Sequence, residues 1–377
     1  MNQISHRHLA PVSHGGGLVA DMSLALLNRT GAYHVCREIT ETCGDLLSGT
    51  IHWRLRGALP DGRNIRRILA RLMLAEIAHP ALRSLLPERR RAGERFLFMD
   101  PLYVMGVMPR RDDIVLCHDM GPVTHPDLFG PDTEATYREA YDLIHRGRPG
   151  MVFVSEASRD AFVGIHGSDF RFLEVIPLFV RAMTSADEGV PPAGVSGPFL
   201  LTVGALERRK NYLRTLEAFE RSGLAEQGWK YVFCGPRGNA ADEITARARR
   251  TAGVVQLGYV SDAELQWLYR NAGGFVLVSL LEGFGIPALE AAQRGLVSLV
   301  GDGGAQREAV GEGALHVDPL SVEAITDALR RLATLPEAER VRRVALARDH
   351  AARLSRDAFA AAWRRLLLRD GAPALTR

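Results

Sequence analysis

No apolar run in this 377-residue chain reaches the roughly 18 residues that a membrane-spanning helix needs, and the N-terminus lacks the charged-then-apolar pattern of a signal peptide. The expected compartment is the cytoplasm. Cysteine is scarce: Cys36, Cys43, Cys117 and Cys234 form no C-x-x-C pair and each lies in or beside an apolar segment, so reduced, buried thiols are expected. No G-x-S-x-G elbow accompanies the string His14-Gly15-Gly16-Gly17, which removes esterase chemistry. Neither half offers G-x-G-x-x-G after a first strand with an acid about 20 residues on, which removes a dinucleotide-dependent dehydrogenase. The net charge is only +3 and the basic segments lack interleaved aromatics, so nucleic acid is not an expected partner. Low-complexity tracts and short-period repeats are absent.

What is present is the length and composition of two ordinary soluble domains. Short apolar segments at Gly17 to Ser23, Phe96 to Met99, Ile114 to Cys117, Met151 to Val154 and Phe172 to Ile176 alternate with helical stretches, the rhythm of a parallel sheet. Residues 182–197, rich in proline and glycine, have the composition of a linker. A second series of strands follows, at Phe199 to Val203, Tyr231 to Cys234, Val254 to Leu257, Gly274 to Ser279, Val297 to Val300 and Leu315 to Val317. Ser261 and Glu264 form a capping box ahead of one of its helices. The fold class expected is α/β, with two Rossmann-like doubly wound domains facing a cleft. The expected divisions are 1–181 (with 1–16 a flexible lead-in), the linker, 198–355, and a final helix over 356–377 that packs back toward the first domain. Residues 53–95 hold eleven arginines against four acids, and Arg63 to Leu86 has apolar residues at helical spacing. This stretch is either a helix packed on the sheet or one that docks on a membrane, with Arg89-Arg90-Arg91 as a basic rim.

The stretch Ser279-Leu280-Leu281-Glu282-Gly283-Phe284-Gly285-Ile286-Pro287-Ala288-Leu289-Glu290 reads as a strand end, a glycine loop and a helix start. Free amides and the positive dipole end favour an anion, with Pro287 at the first helical position. Glu282 and Glu290 are either acids that favour a helix N-terminus or acceptors for sugar hydroxyls.

Three motifs fall in order: Val203-Gly204-Ala205-Leu206-Glu207-Arg208-Arg209-Lys210-Asn211, then Leu257-Gly258-Tyr259-Val260-Ser261-Asp262, then Glu282-Gly283-Phe284-Gly285 with Glu290. Together they resemble the nucleotide-sugar-dependent retaining glycosyltransferases of family 4, which have the GT-B fold, and within them the bacterial mannosyltransferase-like branch of surface polysaccharide synthesis. The resemblance implies that Arg209 and Lys210 grip the donor diphosphate beside Gly204. It gives Glu290 to the ribose and Glu282 to the donor sugar, with the backbone of Gly283, Phe284, Gly285 and Ile286 holding hydroxyls and phosphate. Tyr259 and Val260 fall at the base pocket. In the first domain, His118 matches a histidine facing the donor sugar, and Thr30, Gly31, Asp119, Ser155 and Arg159 are candidates for the acceptor side. Glu308, after Gly303-Gly304, reads mainly as a loop anchor. Ala205 departs from the arginine that many members carry there, which leaves phosphate gripping to Arg209 and Lys210.

The activity implied is transfer of a hexose, with mannose the best guess, from a nucleoside diphosphate sugar such as GDP-mannose to a glycan or polyprenyl-diphosphate-linked acceptor, with retention. No cofactor is expected. A metal is not expected either, because no D-x-D triplet occurs and the basic pair can do its electrostatic work. Contact with the cytoplasmic face of the inner membrane through the 53–95 region is a further expectation. A sugar-nucleotide epimerase of the same fold and a non-catalytic nucleotide-sugar scaffold are the alternatives.

Overall fold

The computed structural model describes residues 17–27, 31–59, 62–180 and 189–371. The lead-in, the candidate Thr30 and the first part of the linker lie outside these residues. Seven described strands build the first sheet: β1 (Leu18–Asp21), β2 (Gly49–His52), β3 (Leu55–Arg56), β4 (Arg95–Phe98), β5 (Ile114–Cys117), β6 (Gly150–Phe153) and β7 (Phe172–Val175). Their order is β3-β2-β1-β4-β5-β6-β7, parallel except for the β2–β3 pair at the edge. Six more build the second: β8 (Phe199–Val203), β9 (Lys230–Cys234), β10 (Val254–Gly258), β11 (Gly274–Leu277), β12 (Ser298–Gly301) and β13 (Leu315–Val317). Their order, β10-β9-β8-β11-β12-β13, is that of a doubly wound dinucleotide-binding sheet.

Central strands such as Ile114–Cys117 and Phe199–Val203 are buried and mostly apolar on both faces, as in a parallel sheet covered on both sides. The β2–β3 hairpin is absent from the sequence expectation. It is short, lies at the edge and mixes polar with apolar residues, so it has no run or alternation to reveal it. The single helical stretch expected from Arg63 to Leu86 is two helices, Arg63–Ala78 and Pro80–Leu85. Pro80 pushes His79 out of the helical region, to φ −121° and ψ 100°, and starts the second helix itself. The capping box is present, with Glu264 N donating to Ser261 Oγ at 3.3 Å and Ser261 N to Glu264 Oε2 at 2.8 Å.

The halves share one buried apolar cluster, in which Phe98 and Cys117 of the first join Phe284 and Leu289 of the second. The last helix, Arg356–Gly371, lies on the first half, against the helix Gly31–Thr42. Phe359 packs on Phe179 at 4.9 Å between centroids, Arg364 pairs with Asp45, and Asp370 receives Arg95 and Arg171. All four cysteines are buried and unbridged.

Candidate functional site

The second sheet reverses its winding between β8 and β11, the crevice where doubly wound folds take ligands, and both motif loops leave the sheet there. After β8 the chain passes so close to the next loop that a Cβ on Gly235 would collide with the Gly204 carbonyl, which itself accepts from Tyr212 Oη at 2.9 Å. A single 3-10 turn, Arg208–Lys210, then turns two cations onto one carboxylate. Lys210 Nζ lies 2.5 Å from Glu282 Oε1, Arg209 Nη1 lies 3.0 Å from Glu282 Oε2, and Ser279 Oγ donates to Oε1 at 2.7 Å. Arg209 Nε also meets Glu207 Oε2 at 2.7 Å, and Leu280 N donates to the Arg209 carbonyl at 2.8 Å. Burial alone would raise the Glu282 pKa, but Lys210 and then Arg209 outweigh it and hold the carboxyl at about 2. Glu282 is therefore a carboxylate at any physiological pH. Among the described residues, Arg209 Nη2 and two of the three Lys210 N–H bonds have no partner.

Glu290 lies in the helix Ile286–Gln293, whose N-cap is Gly285 at φ 111°; Pro287 is its second residue rather than its first. Tyr269 Oη donates to Glu290 Oε2 at 2.8 Å. Burial raises the Glu290 pKa, against the Tyr269 hydrogen bond and the Arg294 charge. Phe284 is buried, so only its backbone can face a ligand. Tyr259 is 87% exposed and Val260 is half-buried at the end of β10.

The opposite wall comes from the outlets of β4 and β5. His118 is half-buried, and its Nε2 lies 2.9 Å from the Met99 carbonyl, which fixes the proton on Nε2 and leaves Nδ1 as the free ring nitrogen. Asp119 Oδ1 accepts from Gly121 N at 2.8 Å. The two walls touch: a Cβ on Gly283 would collide with the His118 carbonyl, and one on Gly121 with Leu281. Between them is a cavity of about 260 Å³ lined by Asp119, His125, Ser158, Glu282, Gly304 and Gln306, among others. From the 155–159 segment the cavity takes Ala157 and Ser158, rather than Ser155 or Arg159. Ser155 is buried and caps the helix Glu156–His166, accepting from Ser158 N at 3.1 Å, while Arg159 pairs with Glu156 and Asp160. Gly31 approaches the second domain, its Cβ direction ending 3.8 Å from Ile286 Cδ1.

Two residues extend the sequence reading. Glu308, expected as a loop anchor, reaches across the cavity: its Oε2 and Oε1 accept from Glu156 N at 2.7 Å and Ala157 N at 2.9 Å, so one domain caps a helix of the other. Asp100, unforeseen, follows β4 at the point where the first sheet reverses its winding. Its Oδ1 accepts from Leu102 N at 2.9 Å and Tyr137 Oη at 3.4 Å. Burial raises its pKa, opposed by the nearby His118. An aspartate between a strand and a proline was the only signal the sequence carried.

Residues 188–348 match the family model described as "Glycosyl transferases group 1". The matched segment falls on the C-terminal domain. Curated relatives of the chain include the O-antigen chain mannosyltransferase B of Escherichia coli, 33% identical over 132 residues, which are 34% of this chain and 35% of that protein. Another is the O-antigen chain mannosyltransferase RfbU of Salmonella typhimurium, 36% identical over 230 residues, 60% of this chain and 63% of the relative. The chain thus covers less than two thirds of the length of these relatives. Among solved structures, an α,α-trehalose-phosphate synthase (UDP-forming) from Burkholderia vietnamiensis superposes with a TM-score of 0.60 at 15% identity, covering 94% of this chain and 86% of that one. A trehalose-6-phosphate synthase, OtsA, gives 0.61 at 15% identity over 92% and 84%. At such identity the likeness concerns the fold alone, and that fold is GT-B: two parallel-sheet α/β domains facing a cleft.

Proposed function

We propose that this protein is a retaining glycosyltransferase. It moves a hexose, mannose in the first instance, from a nucleoside diphosphate donor such as GDP-mannose to a hydroxyl of a glycan or a polyprenyl-diphosphate-linked acceptor, in surface polysaccharide synthesis. The observation that carries this reading is the Lys210–Glu282–Arg209 node at the β8/β11 crevice, whose Glu282 lines the interdomain cavity together with Asp119 of the first domain. The relatives, O-antigen chain mannosyltransferases, support the choice of mannose and of O-antigen as the kind of product.

On this reading Glu282 holds the two cations in place, and their unpartnered N–H bonds meet the diphosphate and stabilise the charge that builds on it as the glycosidic bond breaks. Glu290, kept in place by Tyr269, accepts from the ribose. The leaving phosphate takes the acceptor's proton on the same face, so no protein base is required. His118 Nδ1 and Asp100 are the groups that orient the donor sugar and the acceptor hydroxyl on the opposite wall. The close contact of Gly283 with His118 excludes water from the reacting bond and limits donor hydrolysis. The protein works in the cytoplasm, at the inner-membrane face where a lipid-linked acceptor is found.

The test is incubation with GDP-mannose and a mannosyl acceptor, followed by NMR of the product. An α-linked mannoside is expected from the α-linked donor. A β-linked product contradicts retention; a donor epimerised without acceptor assigns an epimerase instead; and nucleotide binding without turnover assigns a scaffold.

A further inference from the structure

The helix Arg63–Ala78 has one apolar face too many. Ala70, Met73 and Ile77 are buried against the first domain, as one stripe of an amphipathic helix should be. A second row at the same helical spacing is open: Ile65, Ile68 and Leu72 are 51%, 57% and 50% exposed. The row is extended in the following helix, Pro80–Leu85, by Leu85 at 82%.

The charges on this helix are sorted as well. Its one acid, Glu76, is buried on the inner side, where it takes Trp53 Nε1 and Arg54. Arg66, Arg67 and Arg71 have no ion pair or hydrogen bond among the described residues. The rest of the basic region is different. The rim expected at Arg89-Arg90-Arg91 is not a rim, since Arg89 and Arg90 are buried and paired with Asp21 and Asp113. Arg56, Arg83 and Arg95 are likewise held, by Glu94, Glu139 and Asp370. The regional excess of arginine is therefore concentrated on the one helix that also exposes the apolar row.

We propose that the outer face of the helix Arg63–Ala78, with Ile65, Ile68 and Leu72 inserted and the exposed Arg67 and Arg71 flanking them, docks the protein on an anionic lipid bilayer. No described helix is long and apolar enough to cross a membrane, so contact is with the surface. A second copy of the chain is a poorer occupant, because it would set the unpaired Arg67 and Arg71 against the same two arginines of the other copy. The helix packs on the helix Leu24–Leu27 and on residues Pro101–Gly106, which follow β1 and β4 at the cleft end of the sheet. A docked bilayer would then lie beside the wall that carries Asp100 and His118. This deepens the reading of a membrane-bound acceptor given above and rests on it for purpose, but not for proof.

Flotation of the full chain with phosphatidylcholine vesicles, with and without phosphatidylglycerol, tests it. Binding is expected only with phosphatidylglycerol and should weaken as salt is raised. Arg67→Glu with Arg71→Glu should cost at least about 25-fold, about fivefold for each charge lost, and Ile68→Asp with Leu72→Asp should abolish flotation. The melting temperature of these variants should not change, because the replaced side chains are exposed. Wild-type protein that stays at the bottom of the gradient, or variants that float equally well, would overturn the proposal. A wild-type dimer that Ile68→Asp dissociates would reassign the face to self-association. Flotation without sugar transfer would refute the transferase reading and leave the docking face standing.

Discussion

Two carboxyls lie in the loops that follow β11 and β4, one in each domain, and burial acts on both. Glu282, on the donor side, sits between Lys210 and Arg209 and is held at about 2. Asp100, on the other side, has one hydrogen bond from a backbone amide, one from Tyr137 and the influence of a half-buried histidine, and its pKa rises. The same chemical group thus serves as a fixed negative charge on one wall and as a titratable one on the other. The difference lies in the neighbours, because only the donor wall brings two cations into direct contact.

Glu282→Gln is the strongest way to break this contrast. It leaves Lys210 and Arg209 buried without their counter-charge, so transfer should fall by about 100-fold or more. A carboxyl whose folded pKa lies below the usual 4.5 contributes stability that is present above 4.5 and lost as pH falls toward about 2. The loss of stability in the variant should be about 3 kcal/mol at pH 7 and shrink below pH 4.5, as thermal unfolding across pH would report.

Asp100→Asn should have the opposite sign in the same experiment. Asparagine keeps an acceptor for Leu102 N, so the local turn survives. Since the folded pKa is raised, the native aspartate contributes most below its unfolded value and loses that contribution as pH rises through the folded one. The variant should melt higher than the wild type at pH 7, with the difference vanishing toward acid. Transfer should fall about 10- to 100-fold through a raised acceptor KM. A variant that melts lower at pH 7 would show that Asp100 is held by a charge.

Glu308→Ala gives the smallest effect. Removing a cap from the Glu156–His166 helix should cost about 1 kcal/mol. Because that cap crosses the cleft, the donor KM should also rise a few-fold while kcat changes little. An unchanged donor KM would reduce Glu308 to a local role.

The donor wall was legible in the sequence because its residues lie on two loops whose glycines, basic pair and spaced glutamates form motifs, and because the strand pattern brings both loops to one crevice. Even there the sequence named Glu282, Arg209 and Lys210 separately, without their mutual contact. The first-domain wall was read less well for a physical reason. Asp100 acts through what the fold packs around it, and no spacing rule connects it to His118 or Tyr137. The arginines of 53–95 mislead in the same way: Arg89 finds Asp21, 68 residues away, and Arg90 finds Asp113, so a local charge count cannot tell a core ion pair from a free cation. The exposed row on the helix Arg63–Ala78 was visible as periodicity, but which of its two apolar faces is covered depends on the fold.

Lys210 and Lys230 are the only lysines in a chain that otherwise uses arginine for every cationic side chain. That Lys210 is buried against Glu282 makes it the most direct point of attack. Titration of GDP-mannose into wild-type protein and into Lys210→Ala, read by calorimetry, tests whether this node holds the donor diphosphate. Saturable binding by the wild type, weakened at least about tenfold in the variant, is the predicted result. Equal binding by both, or no binding of this or any other sugar nucleotide by the wild type, would contradict it.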